Sequence, residues 1–209
     1  MGLDYRILRD KHPQLLKWII VMKTARTKVG IALIVFCVGA EIWQGRMPYH
    51  LHEANRWVFL GLCFIFAGLG LRLAACGSIR KKERLATTGV YSLCRHPLYL
   101  GSVFLVYGFC FLLRDASNFA IATVYFLLFY PLTIAWEEVR LAERYGGAHA
   151  EYAGRVPLLL PIGRFQSGEF RLGEALSRGG ARLTGCIIGL LALIEGFGEA
   201  VQHGLVPGR

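Results

Sequence analysis

Apolar residues fall in long blocks separated by short polar segments. Five of these blocks approach the about 20 residues that a membrane-spanning helix needs. Block 29–43 is slightly short and carries Glu41. Block 57–79 is long and holds Arg72 near its middle. Block 97–113 begins on Pro97, and block 119–136 contains Pro131, where a kink or an end is predicted. Block 183–201 is uninterrupted to Ile194 and then carries Glu195 and Glu199, which leaves a re-entrant path open. An earlier run, 15–22, is too short to span and is predicted to lie along the membrane surface, with Lys17 and Trp18 at headgroup depth. The pattern predicts an all-α protein, a polytopic transmembrane helix bundle of about five spans.

Composition agrees. Apolar residues make up 55% of the 209 and charged residues 18%, which excludes a disordered chain and an ordinary soluble domain. A net charge of +10 suits nucleic acid, an anionic membrane or an acidic ligand, and a chain this apolar selects the membrane. Segments 1–28, 80–96 and 137–182 hold 19 Lys and Arg, against 4 in the segments alternating with them; Arg72 lies in a span. Basic loops stay in the cytoplasm, so the amino terminus and both of those loops are predicted to face it. The basic residues near the amino terminus are too dispersed for a signal peptide, and none is expected. The six cysteines form no CxxC pair and four lie in apolar runs, so neither a disulfide framework nor a zinc ribbon is expected. No internal repeat is visible, so a solenoid is not expected.

Two of the basic loops carry distinctive chemistry. In Arg95-His96-Pro97-x-Tyr99-x-Gly101 a guanidinium and an imidazole immediately precede a proline suited to the first position of a helix. Unpaired N–H groups at a helix start add partial positive charge, so this reads as an anion-binding corner. Glu137-Glu138, at the end of the fourth block, is the opposite corner. Adjacent carboxylates there need partners or a polar cavity, and they point about 100° apart around a helix. One is expected to pair with Arg140 or Arg144 and the other to face the bundle. Both corners fall on one side of the membrane, an arrangement suited to a ligand with charges of both signs. The bland readings are a snorkelling arginine, a satisfied histidine and a solvated helix end. Gly68-Leu69-Gly70 permits close approach to the backbone, for which helix packing is an ordinary explanation.

Taken in order, these residues resemble a known family. Thr88-Gly89-Val90-Tyr91, then Arg95-His96-Pro97-x-Tyr99-x-Gly101, then Glu137-Glu138-x-x-Leu141, Tyr145-Gly146, Tyr152, Val156-Pro157 and Pro161 are similar to the isoprenylcysteine carboxyl methyltransferase and phospholipid methyltransferase superfamily. The match covers about residues 57–162. The resemblance implies an integral-membrane enzyme using S-adenosylmethionine, with an amphiphilic acceptor entering from the bilayer. It divides the chain into a basic interfacial segment 1–28, a membrane methyltransferase domain 29–162, and a linker with an apolar helix 163–209.

Carried over position by position, the resemblance gives His96, Pro97, Gly101, Glu137, Glu138, Gly68 and Gly70 to the cofactor. It gives Arg95 and Tyr99 to catalysis, with Tyr99 also lining the cofactor pocket and Arg95 orienting the acceptor. His149 departs from the family, standing where a tyrosine is usual, and 163–209 has no counterpart in it. No metal is implied, nor a nucleic-acid partner; the expected partners are membrane lipid and a lipidic acceptor. Carboxyl O-methylation of an isoprenylcysteine-like or other lipid-borne carboxylate is the leading expectation, with phosphatidylethanolamine N-methylation as the alternative. Two other classes remain open: a small transporter using Arg72, Glu41, Glu195 and Glu199, and a non-catalytic membrane subunit. Neither the acceptor nor the oligomeric state is legible.

Overall fold

The computed structural model of the chain describes residues 13–44, 55–79 and 84–203. Residues 1–12, 45–54 and 204–209 and the basic group Arg80, Lys81, Lys82 with Glu83 lie outside the described residues. The helices are α1 (Pro13–Trp43), α2 (Arg56–Ser78), α3 (Pro97–Leu113), α4 (Ala116–Tyr145), α5 (Gly147–Arg155), a single turn α6 (Leu172–Ala175) and α7 (Ala181–Gln202). A 3₁₀ turn, Val90–Ser92, precedes α3, and a kinked link with Gly179 at φ 98° joins α6 to α7. Among the described residues there is no strand, only one isolated bridge between Gly89 and Gln166. The protein is an all-α helical membrane bundle.

Local chemistry accounts for the boundaries. Asn55 Oδ1 accepts the Trp57 N–H at the start of α2, and Asp115 Oδ1 accepts that of Ser117 at the start of α4. Pro97 occupies the first turn of α3, where its missing N–H costs nothing. Arg114, left-handed at φ 55°, ends α3, and α4 begins two residues later.

Two elements differ from the sequence pattern. Helix α1 joins the 15–22 run to the 29–43 block, because the residues between them include no glycine or proline and several good helix formers. The side chains of Lys17 and Trp18 lie outside the described residues. Helix α4 passes through Pro131 for 30 residues instead of stopping there. A proline is tolerated in a membrane helix when neighbouring groups satisfy the backbone it disrupts.

Three of the described helical stretches are long and apolar enough to cross a membrane: Arg56–Ser78, Ala116–Tyr145 and Leu172–Ala200. Helix α3 is apolar and shorter, with 17 residues. Helix α7 continues through Glu195 and Glu199 without a break. Phe59, Phe66, Leu127, Leu128, Ile188 and Leu193 are exposed, as lipid-facing side chains should be.

Helices α2 and α3 pack most closely. A Cβ on Gly68 would lie 2.6 Å from the Gly101 carbonyl oxygen, and one on Gly61 2.9 Å from that of Gly108. Small residues at matched positions let two backbones touch, which is how membrane helices gain van der Waals contact without a hydrophobic driving force. Val58, Ile65, Leu105 and Leu112 fill the seam, and Ile187 from α7 covers it. At the other end of the bundle, Asn118 donates to buried Glu41 over 2.9 Å, tying α1 to α4. Arg72 is bound instead at the first turn of α3, to Leu98 O and Ser102. Two of the four intramembrane charges of the transporter reading, Glu41 and Arg72, are thus held locally by separate partners.

Candidate active site

The loop before α3 is shaped by short polar contacts. Gly89 takes φ 63°, which favours glycine, and opens the 3₁₀ turn. Ser92 Oγ donates to Gly89 O and accepts the Gln166 N–H. The chain after α5 then lies along this loop. The N–H groups of Arg95 and His96 donate to Pro157 O and Leu158 O, and Gly163 N–H donates to Leu93 O. A side chain at Gly163 would collide with the Ser92 and Leu93 carbonyls. From α5, buried Tyr152 donates to Tyr91 O over 2.7 Å. The Val156-Pro157 and Tyr152 positions are therefore braces for the Arg95–Pro97 corner.

The brace closes off part of the expected anion site. The Arg95 and His96 amides are spent on carbonyls, and those of Tyr99 and Leu100 turn back to His96 O. The positive and negative corners meet directly. Arg95 Nη1 is ion-paired with Glu138 Oε2, and His96 Nε2 lies 2.8 Å from Glu138 Oε1. His149 Nε2 is 3.7 Å from the same oxygen. Glu138 thus has three basic neighbours and is the one of the two glutamates that faces the bundle. Glu137 points elsewhere, half exposed, with its Oε2 3.9 Å from His96 Nδ1.

Nearby titratable groups stay neutral. Burial pushes the Cys94 thiol up to about 11 and raises the Tyr91 and Tyr152 phenols above their usual range.

The other sequence candidates divide. Pro97 is fully buried at the start of α3. Tyr99 sets its ring edge-on to His96 at 5.5 Å and to Tyr130 at 5.2 Å. Gly68 and Gly101 face each other across the α2–α3 seam, while Gly70 has open space where its Cβ would be. The structure brings Arg95, His96 and Glu138 together, places Tyr99 and Glu137 beside them, and gives Gly68 and Gly101 a packing role.

Tyr99 and Glu137 also line a cavity of about 1080 Å³ between α1, α3, α4 and α7. Its far wall is apolar, with Val106, Phe109, Ile121, Ile187, Leu190 and Ile194. Sequence reasoning missed Arg26 here. The Arg26 guanidinium lies 5.0 Å from the Tyr99 ring centre and 5.8 Å from that of Tyr130. Its position in a basic stretch gave no sign of this, because the stretch read as membrane-surface charge. The burial of His149 was equally hidden, although its departure from the family pattern drew notice.

These residues are compatible with S-adenosylmethionine. Two buried nitrogens of the knot, His149 Nε2 and Arg95 Nε, lack partners, and Glu137 presents a carboxylate to the cavity. Donors with unused capacity beside an accessible carboxylate suit a ligand bearing an ammonium, a carboxylate and ribose hydroxyls.

Comparison with known proteins points the same way. The family model for phospholipid methyltransferase matches residues 58–148, from α2 into α5. The cobalt-zinc-cadmium resistance protein CzcN of Cupriavidus metallidurans is 32% identical over 145 residues, covering 65% of this chain and 64% of the relative. The nickel-cobalt-cadmium resistance protein NccN of Alcaligenes xylosoxydans xylosoxydans is 28% identical over 144 residues, covering 65% and 62%. Protein-S-isoprenylcysteine O-methyltransferase B of Arabidopsis thaliana is 34% identical over 86 residues, covering 40% and 44%. The chain thus spans less than two thirds of the length of each of these relatives. No solved structure matches it. The family model lies over the Arg95–Glu138 knot and a plant isoprenylcysteine methyltransferase aligns in part, and both support a place for this chain in the membrane methyltransferase superfamily.

Proposed function

We propose that the protein is an S-adenosylmethionine-dependent methyltransferase that esterifies a carboxylate on a lipid-borne acceptor at the cytoplasmic face of a membrane. The observation that carries this reading is the engagement of Glu138 by Arg95 and His96 beside a cavity with an apolar wall. A carboxylate held by two basic partners is a poor proton acceptor, because taking a proton would break its bonds. A carboxylate acceptor needs no base, so a site whose best-placed carboxylate is committed to structure suits it.

Bound S-adenosylmethionine would supply an electrophilic methyl group, with the neutral thioether S-adenosylhomocysteine as the leaving group. Glu137 and the His149 and Arg95 edge of the knot would hold the cofactor's polar groups, and Glu138 would fix that edge. Arg95, with its guanidinium on Glu138, would act as a positioning residue rather than as the acceptor's own clamp. Tyr99 would wall the reacting region, and the packed α2–α3 seam would exclude water from one side. Alignment and dryness are the main contributions such a displacement asks of a protein.

Phosphatidylethanolamine N-methylation is the second reading, favoured by the family model and by Glu137. That carboxylate lines the cavity between Tyr99 and His96, where it would be the group to take a proton from an amine.

Two experiments test the proposal. Purified protein incubated with methyl-labelled cofactor and single-chain carboxylates should yield a lipid-soluble product that releases labelled methanol in base. A labelled product that keeps its methyl in base would favour the amine reading. For orientation, single-cysteine variants at Val90 and Ala150 should resist membrane-impermeant reagents in intact cells; labelling of either from outside would reverse the topology.

A further inference from the structure

We infer that Arg26 and Arg72 form a second anion-binding site, distinct from the Arg95–Glu138 knot, that holds the oxyanion headgroup of a single-chain amphiphile in the cavity. The inference rests on the methyltransferase reading only in taking that amphiphile to be the acceptor.

Three observations converge. The first is charge: the cavity wall carries Arg26, Arg72, Arg140 and Arg144 against Glu137 and Glu143, an excess of two positive charges. The second is incomplete bonding. Arg72 Nη1 donates to Leu98 O and Ser102 Oγ, but its Nε is buried without a partner, as is Arg26 Nη1. Buried guanidinium nitrogens left unbonded are costly, and an oxyanion with several lone pairs is a natural partner for their forked geometry. The third is proximity. Arg26 lies over the Tyr99 and Tyr130 rings, and Arg72 bonds Ser102 on the same cavity wall. These groups therefore form one polar patch bordering the reacting corner.

The remaining wall says what the anion is attached to. It is built from aliphatic and aromatic side chains of α3, α4 and α7, including Val106, Phe109, Ile121, Ile187 and Leu190. A free inorganic anion would leave that surface uncovered. A molecule with one hydrocarbon chain and a carboxylate or phosphate head would cover it while bonding the arginines.

The test uses the full chain in nanodiscs of neutral lipid at mildly alkaline pH. Three probes each carry a photoactivatable diazirine in the chain: palmitate, lysophosphatidate and hexadecanol. Crosslinks should map to peptides containing Ile121 or Ile187. At least one anionic probe should label about tenfold or more over the alcohol, the scale of a charge-assisted hydrogen bond. Preference for palmitate identifies the head as a carboxylate, and preference for lysophosphatidate as a phosphate. The Arg26→Gln, Arg72→Gln double variant should lose the preference, and Arg26→Lys, Arg72→Lys should keep part of it. The wild-type comparison of acid with alcohol needs no variant, so a misfolded variant does not spare the idea. Equal labelling by acid and alcohol in the wild type, or anion-dependent labelling elsewhere on the chain, overturns it. S-adenosylhomocysteine titrated into the same nanodiscs separates the two claims. An anionic preference without cofactor binding defeats the methyltransferase reading alone, and cofactor binding without the preference defeats this inference alone.

Discussion

The knot around Glu138 and the arginine end of the cavity both touch Tyr99, yet they handle charge in opposite ways. In the knot, Arg95 and His96 are bonded to one carboxylate, and their amides are tied down by the 157–158 segment. In the cavity, Arg26 and Arg72 each keep a buried nitrogen without a partner. Arg95 Nε and His149 Nε2 are also without hydrogen-bond partners, so the difference lies in the counter-charge: the knot is closed on the Glu138 carboxylate and suits a frame, whereas Arg26 and Arg72 have no carboxylate partner among the described residues and suit an anionic ligand. The residues that form the densest sequence motif are therefore the frame, and two isolated arginines outside it are the better placed to meet an anion.

The largest effect expected is at Glu138. Replacing it by Gln leaves two largely buried basic groups short of their carboxylate. Loss of one partner in a buried pair costs about 3–5 kcal/mol, and partial solvent access reduces this to about 2–3 kcal/mol here. Thermal unfolding in detergent should show it, together with weaker binding of S-adenosylhomocysteine. An unchanged melting temperature would mean that the knot is not a frame.

A glycine pair sharpens the same contrast. Gly68→Ala drives a methyl group into the Gly101 carbonyl and should cost about 2 kcal/mol, typical of overpacking. Gly70→Ala meets nothing within 4 Å and should leave stability unchanged. Its cofactor affinity then tells whether Gly70 borders the ligand. Equal destabilisation by the two would contradict the packing of α2 on α3.

Arg95→Lys keeps the charge but loses the planar fork, for about 1.5 kcal/mol. Because Arg95 acts through Glu138, cofactor affinity and turnover should fall together, while KM for the acceptor stays near wild type. A change confined to acceptor KM would return Arg95 to the acceptor. Smallest of all, Tyr152→Phe removes one hydrogen bond to Tyr91 O and should cost about 1 kcal/mol of stability, with cofactor affinity preserved.

The helical membrane class and the meeting of Arg95, His96 and Glu138 were legible because they depend on block hydropathy and on motif order. The direct pairing of Arg95 with Glu138 was not, since spacing brings two charged groups to one side without saying whether they bond each other or a ligand. The passage of α4 through Pro131 depends on what packs around it, whereas the continuity of α1 was open to reading in the helix formers that join its two apolar runs. Arg26 illustrates the limit most clearly. In sequence it is one basic residue among seven in 1–28, and only the helix phase, with Tyr99 and Tyr130 opposite, marks it as part of a cavity.

The central claim is that the Glu138 knot frames a cofactor site serving a lipid-borne acceptor. Its most direct measurement is transfer of label from methyl-labelled S-adenosylmethionine into lipid extract by the purified protein, run beside Glu138→Gln. The account predicts a labelled, base-labile lipid ester formed by the wild type and reduced about 100-fold or more in the variant, the scale of about 3 kcal/mol lost from the transition state. Equal labelling by the two proteins, or none by the wild type together with no binding of S-adenosylhomocysteine, would contradict it.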